Sequence, residues 1–140
     1  MLLDELVFRI EHYRNDAWEL GDRCLIFYKV RHLVDQYARF WTSKSDFHSR
    51  NIVELGIWDG GSLAFWAEYF HPEKIVGVDI TQKQDSPYFR EYISSRSLGG
   101  RVKTYWETNQ ADPETLRRIV ANEFSGPLDL VIDDASICIT

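Results

Sequence analysis

Four groups of polar residues punctuate the chain, each at the end of a short apolar run. Glu54 lies inside the first run, Ile52-Val53-Glu54-Leu55, and the loop Gly56-Ile57-Trp58-Asp59-Gly60-Gly61-Ser62 follows it. Asp79 closes the second run, Lys74-Ile75-Val76-Gly77-Val78. Asn109, Gln110 and Asp112 follow the third, and Asp133-Asp134 end the fourth. Carboxylates accept hydrogen bonds from hydroxyl pairs and sit well against cations. Glycines let backbone approach a ligand closely, and a helix N-terminus offers free N–H groups. A single glycine turn or a single acid at such a position is an ordinary connector or cap. Recurrence at four successive places is not explained by packing alone.

The types and order of these residues narrow the ligand. A dinucleotide fingerprint needs G-x-G-x-x-G, and Trp58 occupies the second glycine position. Asp59 would repel a pyrophosphate, so a nicotinamide-dependent oxidoreductase is disfavoured. S-adenosyl-L-methionine carries a sulfonium, an ammonium and one carboxylate, and no phosphate. Glu54, two residues before Gly56, suits its cationic amino-acid end. Asp79 can accept both ribose hydroxyls as a pair. The candidate cofactor-binding set is Glu54, Gly56, Asp59, Gly60, Ser62, Asp79, Gln110 and Asp112. Trp58 either covers the cofactor or packs in the core, and His48 reads as a surface histidine. Asp133 and Asp134 repel one another, which calls for a cation or strong donors nearby unless both are solvated.

These residues need elements to hold them. From Ile52 onward, β-rich apolar runs alternate with helical stripes: Leu63, Trp66, Ala67 and Phe70, then Phe89, Tyr92 and Ile93, then Leu116, Ile119, Val120 and Phe124. His71-Pro72 ends the first of these helices. Ser86-Pro87 and Asp112-Pro113 open the other two, and Gly99-Gly100 and Gly126-Pro127 close them. The strands are 52–55, 74–79, 102–106 and 128–132. This order predicts an α/β fold, a Rossmann-like parallel sheet with flanking helices, whose ligands bind at the carboxyl ends of the strands. Ahead of it, residues 1–50 read as an N-terminal helical segment. Leu2, Leu3, Leu6, Val7 and Ile10 form one stripe; Ile26, Val30, Leu33, Val34, Tyr37 and Trp41 form another. Asn15-Asp16 and Gly21-Asp22 read as turns between them. The division is therefore 1–50 and a partial cofactor-binding domain, 51–140.

Composition bounds the function. With 140 residues there is room for one core, and 44% hydrophobic residues fit a globular chain. A formal net charge of -6 with scattered Arg and Lys argues against a nucleic-acid or membrane-surface binder. No apolar stretch approaches the ~20 residues of a membrane span, and the start lacks a signal-peptide pattern. The two cysteines, Cys24 and Cys138, form no motif, so a cytoplasmic setting is expected.

The segments Val53-Glu54-Leu55-Gly56 through Gly60-Gly61-Ser62, Ile75–Asp79, Asn109–Asp112 and Asp129–Ser136 together resemble Class I S-adenosylmethionine-dependent methyltransferases. Within them the chain is most similar to the cephalosporin hydroxylase-like group, which includes macrolide-sugar O-methyltransferases. The resemblance covers about residues 25 to 136. It implies O-methyl transfer to a small hydroxylated acceptor, a sugar or secondary metabolite, with S-adenosyl-L-methionine as cofactor. It also implies a divalent metal such as Mg2+ at Asp133 and Asp134. Two features depart from the group. Ile137 stands where a histidine base usually follows Ser136, and four strands stand where the family's sheet has seven. The reading is of a C-terminally truncated chain, whose alternative function is that of an inactive remnant that at most binds the cofactor. In the family's strand order the fourth strand lies beside the first, so here it becomes an edge through which copies of the chain could associate.

Overall fold

The computed structural model describes residues 2–3, 5–10, 24–27, 29, 31–81 and 84–135. Its centre is a parallel sheet of four strands: β4 (Asn51–Leu55), β5 (Lys74–Val78), β6 (Val102–Tyr105) and β7 (Leu130–Asp133), in the order β6-β5-β4-β7. The chain steps outward from β4 to β5 to β6, then returns to place β7 on the other side of β4. The order of the strands therefore reverses between β4 and β7, where open α/β sheets form a ligand crevice. The connecting helices are α2 (Gly61–Phe70), α3 (Pro87–Ser95) and α4 (Pro113–Glu123). As the two Pro dipeptides predict, Ser86 caps α3 by accepting from Phe89 N, and Asp112 caps α4 by accepting from Glu114 N. β7 begins at Leu130, two residues later than the apolar run suggests. Asp129 instead turns its carboxylate to the backbone N–H groups of Arg50 and Asn51, each at 2.9 Å.

The N-terminal segment differs from the helical reading. β1 (Leu2–Leu3) runs antiparallel to β2 (Leu6–Ile10), and β3 (Leu25–Phe27) runs parallel to β2 in a second, three-stranded sheet. The first stripe is thus strand rather than helix, and Ile26 belongs to β3. Among the described residues of this segment, helix is confined to α1 (Arg31–Thr42), which carries Leu33, Val34, Tyr37 and Trp41 of the second stripe. Leu2, Leu3, Leu6, Val7 and Ile10 satisfy a helical period only if Phe8 is ignored. Phe8 is buried with Leu6, two positions apart as on one strand face. Asn15-Asp16, Gly21-Asp22, Val30 and the residues from Ser136 onward lie outside the described residues.

These N-terminal elements share the core of the four-stranded sheet. Leu6, Phe8, Leu25 and Phe27 join Ile52, Ile75, Trp66 and Phe89 in one hydrophobic cluster. α2 is caught between the layers, with every residue from Gly61 to Glu68 buried, as its apolar sequence on all sides requires. Phe27 stacks on Phe65 at 4.6 Å, and Tyr37 of α1 meets Trp66 edge-on at 5.4 Å. On the opposite face, Val53, Val76 and Val78 pack against Ile119 of α4 and Phe124 beyond its end.

Candidate functional site

At the carboxyl ends of β4, β5 and β7 lies a cleft of about 230 Å³, lined by Gly56, Trp58, Ser62, Asp79, Gln110 and Asp134 together with Ile26, Ile57, Ile80, Thr81 and Ala135. Two features of the backbone shape its floor. Gly56 takes φ 82, and a Cβ there would lie 2.8 Å from the backbone nitrogen of Ala135. Only glycine lets the end of β7 close on the loop after β4. At the start of α2, a Cβ on Gly61 would lie 1.8 Å from the Ile26 carbonyl oxygen, so β3 is seated directly on the helix.

Asp79 is the hub of this loop. Its Oδ2 accepts from Ile57 N at 2.9 Å and Trp58 N at 2.8 Å, and its Oδ1 accepts from Thr81 N at 2.8 Å. A carboxylate offers about four acceptor positions. Three are filled by backbone, which leaves one, on Oδ1, rather than the pair expected for two ribose hydroxyls. Thr81 Oγ1 and Gln110 Oε1, both buried in the cleft, have no protein partner. Buried polar atoms are rarely left so, and both are suited to a polar ligand.

Behind the cleft floor sits a charged group. Glu54 is fully buried on β4; its Oε1 accepts from Trp66 Nε1 at 3.2 Å and its Oε2 has no partner. Burial pushes its carboxyl up to about 8, against the opposing pull of Lys29 and a hydrogen bond from Ser62. Lys29, itself buried, forms an ion pair with Asp134, whose carboxylate reaches the cleft. Lys29 was missed by the sequence reading. Its signal was a lone cation in the apolar run Leu25-Ile26-Phe27-Tyr28-Lys29-Val30.

The expected residues thus separate by position. Gly56, Ser62, Asp79 and Gln110 line the cleft. Glu54 stands one layer back, reaching it through Ser62. Asp59 accepts from Gly61 N at 3.1 Å inside the loop, Gly60 is the N-cap of α2, and the half-buried Asp112 caps α4. Trp58, left open between two roles, lines the cleft with φ 57. Ile80 and Thr81 went unremarked in the sequence, since they follow Asp79 without a motif of their own. The metal expectation does not fit. No group of three potential ligands occurs among the described residues. Asp134 carries the Lys29 ammonium, and Asp133 Oδ1 accepts from Ala135 N at 3.2 Å.

The parallel sheet, the glycine loop without a dinucleotide fingerprint and the acid that follows β5 are as expected from the sequence, and comparison with known proteins decides the family. The FtsJ-like methyltransferase model matches residues 23–140. The chain belongs to the FtsJ-like methyltransferase family. S-adenosyl-L-methionine is the cofactor that this membership implies, and the acceptors of the cleft fit it: Asp79 Oδ1, Thr81 Oγ1 and Gln110 Oε1 for hydroxyl and amino groups, with no cluster of cations for a phosphate among the described lining residues. Over 92 residues this FtsJ-like chain is 37% identical to 8-demethyl-8-alpha-L-rhamnosyl tetracenomycin-C 2'-O-methyltransferase of Streptomyces olivaceus, covering 61% of the chain and 21% of that protein. It is 34% identical to demethylmacrocin O-methyltransferase of Streptomyces fradiae over 61% of the chain and 20% of that protein. It is 31% identical to mycinamicin VI 2''-O-methyltransferase of Micromonospora griseorubida over 71% of the chain and 25% of that protein. The chain therefore spans a fifth to a quarter of the length of these curated relatives. No solved structure matches it. Among the described residues, no helix is long and apolar enough to cross a membrane.

Proposed function

We propose that this domain binds S-adenosyl-L-methionine for O-methyl transfer to a small hydroxylated acceptor, a sugar hydroxyl of a secondary metabolite being the best-supported class. The observation that carries the reading is the cleft at the β4/β7 switch point, where Asp79, Thr81 and Gln110 present buried acceptors without enough protein donors to fill them. When bound, the cofactor would supply an electrophilic methyl group on its sulfonium sulfur. The residues of this chain supply position: Asp79 Oδ1 and Thr81 hold the nucleoside, Gly56 admits it to the backbone, and Ser62, tied to Glu54, faces its amino-acid end. The names of the sugar O-methyltransferase relatives support the acceptor class, and Asp133-Asp134-Ala135 at the end of β7 supports the finer cephalosporin hydroxylase-like grouping. The role of a metal at these aspartates is not part of the proposal, because Lys29 already supplies Asp134 with a cation.

Calorimetry with S-adenosylhomocysteine tests it. Saturable binding is expected, weakened in Thr81→Val and, by about 1–3 kcal/mol, in Asp79→Ala through loss of one charge-assisted hydrogen bond and of the loop it holds. Tighter binding of NAD than of S-adenosylhomocysteine would reject the reading.

A further inference from the structure

A second cavity, of about 530 Å³, opens at the amino ends of β4 and β5. It lies at the far end of α2 from the cofactor cleft, roughly 15 Å away along a helix of 10 residues. Aromatic rings form part of its walls. Trp41 stacks on Phe47 at 5.2 Å, and Phe70 stands edge-on to Trp41 at 4.9 Å. Its basic side chains are Lys44, His48, Arg50 and His71, and no carboxylate occurs among its described lining residues. Asp129, an acid near Arg50, is occupied by the backbone N–H groups of Arg50 and Asn51.

Two further observations point to a ligand. Ser49 lines the cavity at 4% exposure, and its Oγ has no partner; Trp41 Nε1 is likewise buried and unpaired. Orphaned donors on residues that line a basic cavity are matched by an anion, whose oxygens accept and whose charge the basic side chains neutralise. His71 is also held at φ 48, ψ 51 as the C-cap of α2, a left-handed position where glycine or asparagine is the unstrained choice. Strain at a non-glycine residue is tolerated where its side chain has a use.

We propose that this cavity binds a small anion carried on a flat ring, an aryl phosphate or aryl carboxylate, with the ring against the outer surface of the Trp41, Phe47 and Phe70 cluster and the anion on Ser49, Trp41 Nε1, Arg50 and His71. The site is separate from the cofactor cleft and does not depend on the function assigned to it. Phenyl phosphate is the probe, titrated into the purified chain by calorimetry beside inorganic phosphate and phenol. The ring and the charge together are expected to bind about tenfold or more tighter than either alone. His71→Gly relieves the backbone strain while removing the imidazole, so it should fold at least as well as the parent and bind phenyl phosphate several-fold more weakly; Arg50→Ala should weaken it too. Affinity for S-adenosylhomocysteine should be unchanged in both variants. Phenyl phosphate binding no tighter than inorganic phosphate, full affinity in both variants, or competition by S-adenosylhomocysteine would overturn the proposal.

Discussion

Replacing Glu54 with glutamine probes the electrostatics behind the cleft. Burial raises the Glu54 carboxyl from 4.5 to about 8, outweighing Lys29 and the hydrogen bonds from Ser62 and Trp66, which favour the charged form. With the folded value above the unfolded one, the stability associated with Glu54 is fully present below pH 4.5 and is lost as pH rises toward 8. Inside that window the folded chain holds a proton that the unfolded chain has released, at about 1.4 kcal/mol per pH unit. The loss is on the order of 3 kcal/mol by pH 7 and on the order of 5 kcal/mol at the top of the window. Glutamine has the shape of the protonated acid, still offers an oxygen to Trp66 Nε1, and does not titrate. Urea denaturation of both proteins from pH 5 to pH 8 isolates the effect, because every other titrating group cancels in the difference. The two should be nearly equal at pH 5, with Glu54→Gln pulling ahead steadily as pH rises. A difference that stays flat across the range would refute the reasoning, since Glu54 would then be ionised in the folded chain throughout, neutralised by Lys29.

Phe8→Ala should cost about 3 kcal/mol or more in thermal or urea unfolding, because Phe8 is 1% exposed and meets Phe65 edge-on at 5.6 Å; a loss under about 1 kcal/mol would detach the N-terminal strands from the core. Gly61→Ala places a methyl on the backbone of Ile26 and should lower the melting temperature by the equivalent of about 3 kcal/mol, at the upper end of overpacking costs; an unchanged melt would show that β3 does not seat on α2. β7 is an edge of the four-stranded sheet, with Val131 53% exposed beside an apolar strip formed by Val53, Leu55, Leu116 and Val120. Val131→Lys should raise solubility and reduce light scattering at fixed concentration, and equal scattering would place any self-association elsewhere.

From Ile52 onward, local signals sufficed. Each strand is a short β-rich run bounded by turn residues, and each of α3 and α4 is opened by a capping residue followed by proline, so elements that depend only on their own residues fall where the pattern puts them. The same signals placed Glu54, Gly56, Ser62, Asp79 and Gln110 at strand ends, and the parallel order of the sheet brings those ends together. The N-terminal segment was different. Leu2, Leu3, Leu6, Val7 and Ile10 fit helix and strand spacing alike, and only the burial of Leu6 and Phe8 against Phe65 and its neighbours selects the strand. Tertiary contact likewise decided the chemistry of single residues. Asp79 spends three of its acceptor positions on backbone that its own strand does not contain, and Lys29 meets Asp134 across 105 positions of sequence. Spacing along a chain records neither a hydrogen bond closed by a distant loop nor the water lost when a charge is buried, so the roles of Asp79, Glu54 and Lys29 exist only once β4, β5 and β7 are aligned in one sheet and β3 is seated on α2.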